Sequence, residues 1–365
     1  MKHTLKKSIT NFKGVKTNRK IVVIEVDDYG WSNVLSPEIH EKLKPNTFGN
    51  RYFVLNDRLE SGKDLEMLFE VLNKHKDKNG RGAVFTPLTV MTNLVRKTDN
   101  SIEEFEFEPF LDTIDRFYGK ESVNLWKEGI SNKLFLPQYH GFEHINYELY
   151  LQMLKLKGGM TNQALNEGVI ICLDKMPEKY HGKKYSAAYD FITSEEYVQK
   201  CKRLIAGLEL FEKQIGYKAV LLTPPGGGYS YEYNNQLVRS GIKYVQLGNV
   251  HKITDIDGNQ QKQRHYFGMN GNNGVTYIPR NCQFEPHSPA KVDWVDACLR
   301  DIEMAFFWNK PAMVSTHRIN FVNQSNAKNG NGIKKLDELL ARIKKKWPDV
   351  EFMGSSEMLA NVFVK

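Results

Sequence analysis

Lys20 to Trp31 reads KIVVIEVDDYGW. Five of its first seven residues are aliphatic, and the run is apolar on both alternating faces. That is the pattern of a parallel strand covered from either side. The run ends in adjacent carboxylates, Asp27 and Asp28, followed by Tyr29-Gly30-Trp31. Functional groups in parallel α/β folds collect at the carboxyl ends of strands. This stretch therefore sets the fold class and marks where to look for chemistry.

Similar short β-branched runs recur downstream and alternate with amphipathic helical stretches. Strands are expected at Ala83 to Val90, Lys133 to Tyr139, Gly168 to Leu173, Lys218 to Thr223, Lys243 to Leu247, Val275 to Arg280 and Pro311 to Thr316, with a short one near Val350 to Met353. Among the helices, Thr193 with Glu196 forms a capping signal. The apolar face behind it runs through Val198, Cys201, Ile205, Leu208, Phe211 and Ile215, and Gly216 closes it. Seven or eight βα units make a barrel or a large doubly wound sheet. No GxGxxG follows the first strand and no GxxxxGK[ST] occurs, which disfavours a nucleotide-binding doubly wound fold. With no Pro/Ser/Gly linker and no repeat, residues 1–365 read as one catalytic domain with an insertion around 97–131. Asn323 to Gly332 (NQSNAKNGNG) reads as a loop.

The 365 residues are 41% hydrophobic and 26% charged, the balance of an ordinary globular chain. The net charge of +8 is spread along the sequence without a concentrated patch or reading module, so nucleic acid is not an expected partner. Four cysteines show no CxxC pairing, and Cys172 and Cys201 fall in apolar segments as buried thiols. MKHTLKKSITNFKG has the charges of a signal peptide but not its apolar stretch, and no run of 18 apolar residues occurs. The expectation is a cytoplasmic chain without membrane insertion.

Four polar constellations stand at strand ends: Asp27-Asp28, His140-Gly-Phe-Glu-His144, Thr223-Pro-Pro-Gly-Gly-Gly228, and His317 with Arg318 and Asn320. Each alone has a plain structural explanation: a helix cap, a chance pair of histidines, a tight turn, a satisfied core histidine. Together they supply a full set of hydrolytic roles. A carboxylate and two neutral imidazoles suit zinc or a similar divalent ion with positions left for water and substrate. Asp27, beside Asp28, is placed to serve as a base. A glycine-rich turn offers backbone N–H groups to an oxyanion, and a histidine suits protonation of a leaving group.

The ordered set VDDYG, HGFEH, LTPPGGGYSYEYNNQLVRSGIKYVQ and VSTHRINF resembles the polysaccharide deacetylase (NodB-homology) family, with motifs spanning roughly Ile21 to Phe321. The resemblance implies a distorted, TIM-like (β/α) barrel, usually seven-stranded. It implies one divalent ion, zinc foremost, on Asp28, His140 and His144. Asp27 would be the general base, His317 the general acid, and the Gly226 N–H part of the oxyanion site. The substrate would be an N- or O-acetylated carbohydrate that loses acetate.

The chain departs from the family pattern in places. Thr223 stands where the family turn usually begins with an arginine that contacts the catalytic aspartate, and Arg280, in TYIPRNCQFEP, is the expected substitute. Glu285 is the candidate replacement for the family aspartate that tunes the late histidine. Trp31, Tyr139, Phe142 and Tyr229 suit stacking on sugar faces, and equally suit packing. Two other functions remain open. A glycoside hydrolase would use paired carboxylates such as Asp27 with Glu143 or Glu285. A degenerate homologue would bind glycan without turning it over.

Overall fold

A computed structural model describes residues 7, 8, 10–43, 52–97, 105–156, 158–288, 292–322 and 331–363. Strand β1 (Ile21–Tyr29) is an interior strand of a curled sheet, paired on both sides. The other strands on the sheet's path are β2 (Phe85–Val90), β5 (Gln138–Gly141), β6 (Leu221–Leu222), β7 (Tyr244–Val245), β10 (Met269–Asn270), β11 (Thr276–Tyr277), β12 (Cys282–Gln283) and β13 (Ala312–His317). Their order is β10-β11-β7-β6-β5-β2-β1-β13-β12, and the short β14 (Glu351–Phe352) pairs with β1 off this path. Every pairing on the path is parallel except that of β10 with β11. The expected distorted (β/α) barrel is the fold that forms, although five of its nine strands are only two residues long.

β1 shows why its sequence is apolar on both faces. Val22, Ile24 and Val26 join a large core shared with the surrounding helices. Ile21 and Val23 point the other way and meet Leu88, Leu221 and Met313 from three other strands, with Ile278 just past β11. Buried Glu25 follows on that same side, taking hydrogen bonds from Gln246 (2.5 Å) and Ser355 (2.7 Å). That face thus turns from apolar to polar toward the strand's carboxyl end.

Several sequence expectations change in detail. Gly168 to Leu173 is extended but stays out of the sheet, with a single antiparallel bridge from Val169 to Val34. Ile170 and Cys172 enter one apolar cluster and Val169 and Ile171 another, so packing on two sides satisfies the apolar run without a ladder. On the long helix Ser194–Ile215, Thr193 accepts the Glu196 N–H. The Glu196 carboxylate reaches the N–H of Ile192 (3.1 Å), one residue before the cap. Val198 on that helix is exposed.

Two antiparallel ribbons were not foreseen: β3 (Thr92–Arg96) with β4 (Phe105–Pro109), and β8 (Val250–Thr254) with β9 (Gln260–Arg264). The segment expected as an insertion supplies β4 and the helices Phe110–Tyr118 and Lys120–Ser131. Phe110, Ile114 and Trp126 of those helices belong to the main core. Residues 98–104 of that expectation, and 323–330 of the expected loop, lie outside the described residues. Cys172, Cys201, Cys282 and Cys298 are buried free thiols. Among the described residues, no helix is long and apolar enough to cross a membrane.

Candidate metal centre and active site

The end of β1 breaks the alternation of a strand. Adjacent strand residues point to opposite faces, yet Asp27 and Asp28 line the same cavity. The cause is local: Asp28 has φ +75°, and the β1–β2 register shifts between Val26 and Tyr29. Such a bulge re-aims a side chain, and aspartate is among the few non-glycine residues that enter the left-handed region readily. Both carboxylates therefore face a cavity of ≈ 830 Å³ at the carboxyl end of the sheet.

His140 and His144 follow from β5 and the turn after it. The His144 Nε2 lies 2.8 Å and the His140 Nε2 3.4 Å from Asp28 Oδ1. One ligand atom from each of the three residues falls within 4.8 Å of the others. Zinc ligands at tetrahedral angles and 2.0–2.1 Å bonds stand roughly 3.3 Å apart, so the spacing suits a divalent ion. The His140 Nδ1–H donates to the Thr223 carbonyl at 2.7 Å, which leaves Nε2 as the lone-pair nitrogen. That Nε2 is buried without a hydrogen-bond partner, and a cation is the natural occupant in front of it. Burial pushes the Asp28 carboxyl up, but His144 and His140 outweigh it and hold the group well below its ordinary value.

The proton-handling groups stand on neighbouring strands. β1 and β13 pair with Asp27 opposite His317, and the His317 Nε2 is 3.7 Å from Asp27 Oδ2. The Arg280 guanidinium donates two hydrogen bonds of 2.8 Å to the two Asp27 oxygens. It reaches Asp27 from the segment after β11. Thr223, at the position where an arginine was missed, uses its carbonyl for His140 and its hydroxyl for Gln246 (3.0 Å). Burial raises the Asp27 carboxyl, but Arg280 and His317 together lower it further, so it is ionised at neutral pH. His317 Nδ1 lies 2.7 Å from Glu285 Oε1, and Asn320 donates to the other Glu285 oxygen at 2.8 Å. Burial opposes charge on His317, yet Glu285, Asp28 and Asp27 raise its pKa to about 10.

The remaining expected residues divide. Gly226, in the left-handed region at φ +57°, lines the cavity, as does Trp31, whose ring lies 5.9 Å from that of His144. Tyr139 and Tyr229 are fully buried. The Tyr139 hydroxyl donates to the Leu204 carbonyl and pairs with Tyr189, and that of Tyr229 donates to Asn234. Phe142 packs on Phe107, 5.0 Å between ring centroids, away from the cavity lining. Sugar stacking on Tyr139 and Tyr229 is thereby corrected to packing, while Phe142 is half-buried. Two further aromatic residues line the cavity, Tyr185 and Phe53, the latter exposed and 5.7 Å from the His317 ring. Nothing in its short apolar helix, Tyr52–Asn56, marks it in the sequence.

Sequence reasoning also missed the frame beneath these groups. Fully buried Arg318, next to His317, is paired with Asp57 (2.8 Å) and Glu60 (3.3 Å). Glu143 and Glu148, flanking His144, are held by Arg203 of the long helix at 2.7 and 2.6 Å. Buried Lys200 donates to Glu148 at 2.6 Å and to Asn146 at 2.9 Å.

Neither a protein-family model nor a curated protein matches the chain. Solved structures do. A Parabacteroides distasonis protein named as a glycoside hydrolase/deacetylase aligns at 10% identity and TM-score 0.50, covering 94% of this chain and 71% of that one. The 4-alpha-glucanotransferase of Thermococcus litoralis aligns at 12% identity and TM-score 0.51, covering 94% of this chain. The chain spans only 41% of the glucanotransferase's length. A Mycobacterium smegmatis protein named as a polysaccharide deacetylase aligns at 10% identity and TM-score 0.46 over 96% of this chain and 92% of that one. The chain thus has the barrel fold that its motifs imply, one it shares with the Parabacteroides distasonis protein and the glucanotransferase.

Proposed function

We propose that this chain is a metal-dependent deacetylase that removes acetyl groups from an N- or O-acetylated carbohydrate. The observation that carries the reading is the convergence of Asp28, His140 and His144, with Asp27 and His317 paired across β1 and β13 beside them. A divalent ion on those three residues, zinc foremost, supplies Lewis acidity toward a carbonyl oxygen and acidifies water. Asp27, kept ionised by Arg280, takes the proton from the attacking water. The Gly226 N–H offers a donor to the oxyanion that forms on the substrate. His317, charged and oriented by Glu285, gives its Nε2 proton to the departing amine or alkoxide.

The glycosidase alternative is less well served. It needs one carboxylate free to attack and another free to protonate. Asp27 is held at both oxygens by Arg280, and Glu285 by His317 and Asn320. Glu143 is buried under Arg203. A glycan-binding homologue without turnover would have no use for a base and an acid beside the metal residues.

Elemental analysis of the purified protein beside His140→Ala tests the reading. About one equivalent of divalent metal, lost in the variant, is expected. Acetate release without new reducing ends is expected from an acetylated substrate. A wild type that neither contains metal nor takes up added zinc overturns the proposal.

A further inference from the structure

His251 lines the cavity but has no part in the chemistry above. It is carried by β8, and both of its ring nitrogens are engaged by backbone. Nε2 lies 2.6 Å from the Gly227 carbonyl oxygen, and Nδ1 accepts the Gly248 N–H at 3.3 Å. A carbonyl can only accept and an amide N–H can only donate, so the proton sits on Nε2 and the ring is neutral. Burial lowers its pKa, the bond to Gly227 opposes this, and the neighbouring Lys184 lowers it again. No polar atom of the ring is left for a substrate.

The recipient of this bond is the turn Gly226-Gly227-Gly228. Gly226 and Gly227 have φ +57° and +77°, and three successive glycines are the softest backbone a chain can present. The turn's own bonds, Gly227 N–H to the Pro224 carbonyl and Gly228 N–H to that of Pro225, are long at 3.3 Å each. On one side the turn lies against Ser186 and Ala187, where a Cβ on Gly226 would come within 2.4 Å of the Ser186 carbonyl oxygen. On the other side stands His251, 3.3 Å from where a Cβ on Gly227 would be. The histidine is itself held firmly. Thr254 and Gln260 of the β8–β9 ribbon donate to buried Asp190 at 2.6 and 2.8 Å, and the Thr254 N–H donates to the Tyr229 carbonyl at 2.8 Å.

We propose that His251 is a positioning residue: with its proton on Nε2 it clamps the Gly227 carbonyl and holds the Gly226–Gly228 turn in the one conformation that presents Gly226 to the reacting carbonyl. The clamp is a structural statement; its catalytic consequence rests on the deacetylase reading.

His251→Gln, His251→Asn and His251→Ala separate the possibilities in the full-length, metal-loaded protein. A glutamine amide reaches the Nε2 position and can donate to Gly227, whereas asparagine reaches only the Nδ1 position. Nitrogen-15 NMR of the wild type is expected to show the Nε2–H tautomer. The amide resonances of residues 226–228 are expected to broaden in His251→Ala and His251→Asn and to stay sharp in His251→Gln. With acetate released from N-acetylated chitopentaose or 4-nitrophenyl acetate as readout, kcat falls on the order of tenfold in the Ala and Asn variants, at unchanged KM and metal content, and His251→Gln recovers most of it. An Nδ1–H tautomer, unmoved turn resonances in His251→Ala, or equal kcat in the Gln and Asn variants overturns the proposal. If the wild type hydrolyses neither probe, the deacetylase reading falls, and the tautomer and turn resonances still decide the clamp.

Discussion

Asp27 is a buried carboxylate kept ionised chiefly by the Arg280 guanidinium, with help from His317. With Arg280 gone, burial is the largest remaining influence and pushes the carboxyl up toward its protonated form. Arg280→Ala is therefore expected to lower kcat by about 10²-fold, a loss comparable to removing a positioned charge from an active site, with KM little changed. Initial rates at fixed metal loading check this, and undiminished turnover would remove Arg280 from the mechanism. The imidazole of His317 gives a second test. In the metal-free protein its pKa is raised to about 10, so the charged ring contributes stability that is fully present below the ordinary 6.5 and lost as pH rises through 10. Glu285→Gln removes the strongest of the influences that raise it. The NMR titration of His317 is then expected to move to lower pH; a titration that stays at the wild-type position rules out Glu285 as its partner.

At the scale of elements, the helix Ser194–Ile215 carries the support for the turn that bears His140 and His144. Burial raises the Glu148 carboxyl, but Lys200 and Arg203 reverse the shift and bring it from 4.5 down to about 2. A depressed carboxylate contributes stability that is present above 4.5 and lost as pH falls toward 2, here about 3 kcal/mol. Denaturant unfolding between about pH 5 and 2, the window set by the shift, should show a flatter pH dependence for Glu148→Gln than for wild type. Parallel curves would mean that the pair contributes no more than a surface contact.

This support was invisible in the sequence, because a lysine and an arginine one turn apart on a helix read as a solvated face. The polar ends of β1 and β13 were legible because a strand end fixes where its next residues go. Arg280 was legible as a candidate since it closes the run expected as a strand, but β11 ends at Tyr277 and its two bonds to Asp27 depend on the curl of the sheet. Tyr139 and Tyr229 turned inward for the opposite reason: proximity in sequence to HGFEH and the glycine turn says nothing about whether a ring faces the cavity or the core. The run from Gly168 to Leu173 has the composition of a strand, and only the two apolar clusters it divides between explain why it never joins the sheet.

For the molecule as a whole, the metal residues join β1 to β5 and the turn beyond it, so an ion bound there ties distant parts of the chain together. A ligand at 100 times its Kd stabilises the folded state by about 2.7 kcal/mol, which corresponds to a rise of about 3–4 °C in Tm for a chain of this size. Adding zinc to chelator-stripped protein should produce such a rise, and His140→Ala should abolish it. A shift that survives in the variant would place the binding elsewhere. The β1–β13 pairing has a consequence of another kind. Val22 lies beside Ala312, so one edge of the most apolar strand waits about 290 residues for its partner during synthesis. At ribosomal speeds this leaves a bare, aggregation-prone strand edge for roughly 15–60 s. A nascent chain with such an edge is a client for a holding chaperone, and its yield in cells should depend more on that protection than on the stability of the finished barrel.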